Sequence, residues 1–341
     1  MKKRNVRTNE HCRKSNATGH PKLTKPEILP GDFELETLRA CPGGRRLSLR
    51  LTTKCDLNCI HCTLRDMPEL PDRSRAQALE SLRAGRLSGC DDLVVLRGEA
   101  GWREDLPELI VSARTMGFRF VQLQSHGAPF AIQAKRAVLL AAGIDAVEVM
   151  LLGGRPETHD TLARHKGAFR ATMLGIKALL VAGVLPLVSI HVLSANLAEL
   201  PMAVRLLSGL GAPRVQFNFP RPVLTPEGPQ TEPLARLAPA AAAVNGAAAL
   251  AHSLGLAVTT EGFPFCLLEA AWRQGPDSDE DWKRHRIDDL HFLHESLNIE
   301  RERMRPMATV CQSCSVAAVC PKTWAMYLEL FGEEELRAFS R

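Results

Sequence analysis

The stretch Cys55-Asp56-Leu57-Asn58-Cys59-Ile60-His61-Cys62 carries three cysteines at the spacing C-x3-C-x2-C. It follows the alternating run Arg46-Leu47-Ser48-Leu49-Arg50-Leu51-Thr52, which reads as a strand, so the cysteines fall on the loop that leaves it. A chain folded back over so few residues can aim three thiolates at one face of a cube. Three ligands on a [4Fe–4S] cluster leave one iron without a protein ligand, and that iron can hold a small molecule. Four ligands would close the site; an open position separates catalytic from structural metal centres. The alternatives are a zinc knuckle or three unrelated buried thiols. Zinc sites prefer paired C-x2-C motifs, and nearby Cys41 makes no such pair.

At these residues the sequence resembles the radical S-adenosylmethionine (SAM) superfamily. The resemblance implies that Cys55, Cys59 and Cys62 hold a [4Fe–4S] cluster whose free iron binds SAM. It implies reductive cleavage of SAM to a 5′-deoxyadenosyl radical that abstracts hydrogen, with an electron donor such as flavodoxin or ferredoxin. His61 stands where relatives carry an aromatic residue against the adenine of SAM. Arg97-Gly98-Glu99-Ala100 stands where they have Gly-Gly-Glu-Pro, so Gly98 and Glu99 are expected at the SAM ammonium. Ser125-His126-Gly127 replaces Thr-Asn-Gly, which makes Ser125 a further SAM contact. Met150 falls where relatives often have a serine, and it cannot make that hydrogen bond.

A second set comprises Cys266 and the block Cys311-Gln312-Ser313-Cys314 with Cys320, spaced C-x2-C-x5-C. This resembles the auxiliary-cluster extensions (SPASM or twitch type) of the same superfamily, and Cys266 would complete four thiolates. The region is short, so one auxiliary [4Fe–4S] cluster is expected, for electron relay or substrate anchoring. Structural zinc is the alternative here. Cys12, Cys41 and Cys90 have no assigned partner and read as ordinary thiols.

The elements that must position these groups alternate. Helices are expected over 74–87, 106–116, 132–142, 167–182 and 196–208. Strands are expected over 91–96, 118–124, 146–152, 188–193 and 215–219. Ala171, Gly175 and Ala178 suit close helix packing. Six strands alternating with helices imply right-handed crossovers and a parallel sheet. The fold class is therefore α/β, a (β/α)6 partial TIM-type barrel with a small C-terminal iron–sulfur extension. Its site lies at the C-terminal ends of the strands. The strand ends nominate Gln124, His126, Arg155, His191 and Asn218 to line the substrate space, the last four as catalytic candidates.

The expected division is 1–30 as a disordered basic tail, 31–259 as the barrel and 260–341 as the extension. Residues 1–30 hold eight Lys/Arg and two Asp/Glu, a balance of +6 within a formal net charge of +5. The basic character therefore belongs to the tail, and nucleic acid is not expected as a partner. His11, Cys12 and His20 in that tail match no metal-site spacing well. Ten cysteines grouped at ligand spacings argue for metal and a reducing compartment. No secretory apolar segment follows the basic start, so the expected location is cytoplasmic. The Ala-rich run 237–255 is interrupted by Pro239, Asn245, Gly246 and His252 and reads as a soluble helix, with no membrane partner. The favoured substrate is a ribosomally made peptide or protein precursor. Small-molecule or cofactor biosynthesis is the second reading, and a non-catalytic electron-transfer protein the third.

Overall fold

The computed structural model describes residues 44–66, 70–225, 228–273, 284–296 and 302–340. The basic tail, with His11, Cys12 and His20, and Cys41 lie outside the described residues. Strands β1 (Arg45–Leu49), β2 (Cys90–Val95), β3 (Phe120–Ser125), β4 (Ala146–Leu151), β5 (Leu187–His191) and β6 (Arg214–Asn218) pair in sequence order, all parallel. Helices α1 (Arg75–Leu87), α2 (Leu106–Thr115), α3 (Ala128–Ala131), α4 (Gln133–Ala141), α5 (Pro156–Ala163), α6 (Ala168–Val181) and α7 (Leu200–Leu210) connect them. This is a mixed α/β fold with the parallel sheet of a partial TIM barrel.

Local chemistry sets the element ends. Ser74 caps α1 reciprocally with Gln77, at 3.2 Å from Gln77 N to Ser74 Oγ and 2.8 Å from Ser74 N to Gln77 Oε1. The helix expected over 132–142 is α4; the short α3 before it is set off at Ile132, whose extended backbone breaks the turn. Gly175 on α6 passes against the Gly127 carbonyl; a Cβ there would meet that oxygen at 2.2 Å. Gly175 therefore lets α6 pack onto the turn that ends β3.

The sheet is larger than six strands. After the short hairpin β7 (Val223–Thr225) and β8 (Gly228–Gln230) and the helix α8 (Leu237–Ser253) comes β9 (Ala257–Glu261), paired parallel to β6. On the opposite side β10 (His285–Asp288) pairs parallel to β1, and β11 (Leu293–His294) closes antiparallel on β10. The order among the described residues is β11-β10-β1-β2-β3-β4-β5-β6-β9. The boundary expected at 259/260 thus falls inside β9, and chain assigned to the extension supplies sheet beside the first strand. Both strands are short, and β10 reads His-Arg-Ile-Asp, so neither shows an apolar period.

Alternation divides the sheet into two faces. Leu47, Leu49, Leu93, Val95, Val121, Leu123, Val147, Val149, Val188, Ile190, Val215 and Phe217 are buried against the helices. Each contributes about 1.5–3 kcal/mol of apolar burial. The opposite parity carries Arg46, Asp92, Gln122, Gln124, Glu148, Ser189, His191, Gln216 and Asn218. The inner face is therefore polar, and Leu-rich helix contacts hold the barrel from outside. No helix of the described residues is long and apolar enough to cross a membrane.

Candidate functional site

The cysteine loop leaves β1 at Thr52, whose Oγ1 accepts from Lys54 N at 2.9 Å and donates to Asp72. It is docked on the end of α5: Asn58 N donates to Ala163 O at 3.1 Å and Ile60 N to Leu162 O at 2.9 Å. Cys59 is buried among Leu152, Leu162, Ala163, Ala168 and Leu193, while Cys62 is half-buried and Cys55 exposed. Burial, then the neighbouring charges of Cys62 and Cys55, push the Cys59 thiol far up. Three thiols on one short loop, whose ionisation burial and mutual repulsion oppose, are a donor set whose thiolates cationic iron would stabilise, so these residues fit a cluster.

The turn after β2 lies directly on this loop. Arg97 and Gly98 both have left-handed φ, 59° and 60°. A Cβ at Gly98 would meet Thr52 O at 2.5 Å and Lys54 O at 3.0 Å, and Glu99 N donates to Lys54 O at 2.8 Å. Glycine is required here by the approach of two backbones. The Glu99 carboxylate is buried and accepts from Ser125 Oγ (2.9 Å), His126 N (2.8 Å) and Gly101 N (3.0 Å). Burial first raises its carboxyl, against these donors. Glu99 and Ser125, expected to reach SAM, are turned toward each other and brace the ends of β2 and β3.

His126 belongs to the same brace and departs from its expected place on the substrate wall. Its Nε2 lies 2.7 Å from Asp56 Oδ1 and 3.2 Å from Glu99 Oε2. Burial opposes protonation, but the hydrogen bonds to Asp56 and Cys55 and the charge of Glu99 lift the imidazole to about 10. Asp56, despite burial, is held at about 2 by His126 and by the Trp102 indole at 2.8 Å. Cys55, Asp56 and His126 are the three residues, among those described, whose ligand atoms lie within 4.8 Å of one another.

A second group forms at the mouth. The His61 and His191 ring centroids are 4.5 Å apart. His191 is in register with Asn218, and Asn218 with Glu261. Gln216 Nε2 orients both neighbours, donating to Asn218 Oδ1 (2.8 Å) and Glu261 Oε2 (3.0 Å). His159 on α5 accepts from Leu152 N through Nδ1 at 3.1 Å. Burial holds His159 and His191 down at about 4 and His61 well below its usual value, so all three rings are neutral. His61 Nδ1, His159 Nε2 and His191 Nδ1 are buried with no hydrogen-bond partner among the described residues. Buried polar atoms are normally paired, so three orphans around one mouth mark room for a ligand.

Two candidates stand elsewhere. Arg155 is exposed at the start of α5, its backbone N donating to Glu199. Gln124 lies deeper in the barrel and donates to Glu148 at 3.0 Å. Sequence reasoning missed Glu148, His159, Gln216 and Glu261. Glu148 shares the parity of Met150 in β4 and could have been read as inward-facing; Glu261 needed the seventh parallel strand to be counted.

Cys266, Cys311, Cys314 and Cys320 line one cavity with Pro264, Lys322, Arg337 and Phe339. Burial raises Cys266, Cys311 and Cys320, each further raised by the others' charge. Cys320 Sγ accepts from Phe265 N and Lys322 N, and Cys314 Sγ from Phe339 N, each at 3.4 Å. Cys90, by contrast, is buried at the start of β2.

No family profile matches the chain. Over 170 residues it is 29% identical to the AdoMet-dependent heme synthase of Methanosarcina barkeri, covering 49% of this chain and 48% of that protein. Over 167 residues it is 28% identical to the sporulation killing factor maturation protein SkfB of Bacillus subtilis, covering 48% and 40%. These matches liken the chain to the radical SAM superfamily. The chain spans about half, or less, of the length of these radical SAM relatives. Among solved structures, Streptococcus suis SuiB bound to S-adenosylmethionine superposes with a TM-score of 0.65 at 12% identity, covering 87% of this chain and 76% of that one. The structure of anSMEcpe with bound AdoMet and the Cp18Cys peptide gives 0.53 at 12% identity, covering 63% of each. At such identities these two show the shared fold.

Proposed function

We propose that this chain is a radical SAM enzyme that modifies a ribosomally made peptide or protein precursor. The observation that carries the reading is the convergence of Cys55, Cys59 and Cys62 on one loop at the mouth of a polar-lined barrel. Those three residues hold the cluster. When bound, the cluster and SAM supply the electron and the carbon radical that removes a substrate hydrogen atom. His61 lies against the adenine. Gly98 presents its turn, and Glu99, Ser125 and His126 keep that turn and the Cys55 end of the loop in place. His191 and Asn218, the latter aimed by Gln216, face the substrate. The apolar surroundings of Cys59 keep water from its sulfur.

Cys266, Cys311, Cys314 and Cys320 are assigned to one auxiliary [4Fe–4S] cluster. All four line one cavity, which supports a single shared site for them. The peptide reading is supported by two solved structures whose titles carry peptides, SuiB bound to precursor peptide SuiA and anSMEcpe with bound peptide, and by SkfB, named as a killing-factor maturation protein. The heme synthase relative supports small-molecule biosynthesis as the second reading.

The test is anaerobic reconstitution, reduction with dithionite and addition of SAM, with 5′-deoxyadenosine measured by chromatography. Wild-type protein is expected to form it. Replacing Cys55, Cys59 and Cys62 by Ala should remove about four irons and all cleavage. Intact clusters without any SAM cleavage would sink the enzyme reading and favour simple electron transfer. A short precursor peptide encoded beside the gene, modified in mass by the reconstituted enzyme, decides between the two substrates.

A further inference from the structure

The auxiliary cavity is closed on one side by the segment Gly332–Phe339, which follows α9 (Ala325–Phe331). This segment is clamped at both ends. Glu335 accepts from Tyr327 Oη, from Ala238 N at 2.9 Å and from Arg236 Nε at 3.1 Å. Phe339 O accepts from Ser315 N at 3.1 Å, and the Arg273 guanidinium lies 4.6 Å from the Phe339 ring centroid. Between the clamps, Phe339 N donates to Cys314 Sγ at 3.4 Å, and Leu336 and Arg337 line the same cavity as Cys266. These two cysteines are far apart in sequence, and one stretch of chain shares the cavity with both. The cavity lining adds the cations Lys322 and Arg337 and, among the described residues, no carboxylate.

We propose that Leu336–Phe339 is a working part of the auxiliary site, and that its Phe339 amide, with the Arg337 and Lys322 cations beside it, sets the reduction potential of the cluster held there. The proposal rests on the auxiliary-cluster assignment above. Reduction adds one electron to the cluster, and no atom leaves or enters. The added charge spreads onto the sulfurs, where N–H donors and neighbouring cations stabilise it. Four cysteines at one cluster leave no position for substrate. The site therefore handles electrons, and this segment decides how readily it accepts one.

Phe339→Pro removes the donor to Cys314, while Phe339→Ala keeps the amide and removes only the ring. The reconstituted proteins would be titrated anaerobically with dithionite against viologen dyes, the reduced clusters being followed by electron paramagnetic resonance. The auxiliary midpoint is expected to move to a more negative potential in F339P and to stay at the wild-type value in F339A. A second measurement needs no variant: amide exchange of 333–340, followed by mass spectrometry, should slow when the auxiliary cluster is loaded. Unshifted F339P potential with both clusters present, or identical exchange with and without the cluster, overturns the proposal alone. Zinc or no metal at these cysteines, with iron near four rather than eight per chain, overturns the auxiliary assignment first and the proposal with it.

Discussion

Gly98→Ala separates two roles that one glycine could serve. If the residue is there for SAM, the variant folds normally and loses only cofactor binding. The structure argues otherwise. Gly98 has φ of 60°, and an alanine Cβ would sit 2.5 Å from Thr52 O and 3.0 Å from Lys54 O. The left-handed backbone alone costs a residue with Cβ roughly 1–2 kcal/mol. The clash is with backbone and cannot be relieved by a rotamer, so the turn must lift. Lifting breaks the 2.8 Å bond from Glu99 N to Lys54 O, worth about 1 kcal/mol. The sum is about 2–3 kcal/mol, or a fall of about 3–4 °C in the melting midpoint of a chain this large. The assay is thermal unfolding of the iron-free protein, with iron retained after reconstitution as a second readout. Both should fall, because the displaced backbone leads straight into Cys55. A G98A protein that melts with wild type and holds full iron, yet fails to bind SAM, would refute the packing argument.

Other perturbations are as specific. Arg50 and Asp289 are both fully buried and paired at 2.6 Å, joining β1 to the chain after β10. Asp289→Ala leaves a buried guanidinium uncompensated and should cost about 3–5 kcal/mol in stability; a loss under about 1 kcal/mol in urea unfolding would contradict it. His159 is fully buried and held down at about 4 by burial. Between its ordinary 6.5 and 4 the unfolded chain binds a proton that the folded chain refuses. Stability should therefore drop as pH falls through that window, by about 3 kcal/mol in total from this group. His159→Gln should flatten the melting curve against pH; an unchanged slope would count against a buried neutral ring.

By itself the sequence determined what depends on local period and ligand spacing. The strand before Cys55 and the alternation of strands and helices through Asn218 were legible. Each rests on neighbours within a few residues, and apolar parity or a C-x3-C-x2-C spacing is visible without knowing the fold. Tertiary structure decided which polar groups meet. Glu99 and Ser125 are 26 residues apart and spend their polarity on each other, and His126 reaches back 70 residues to Asp56. The strands Ala257–Glu261 and His285–Asp288 form because an existing sheet edge supplies their hydrogen bonds, and no apolar period of their own announces them. Long-range pairing of this kind is set by sheet order and register, and those become definite only when the whole chain has closed around its polar interior.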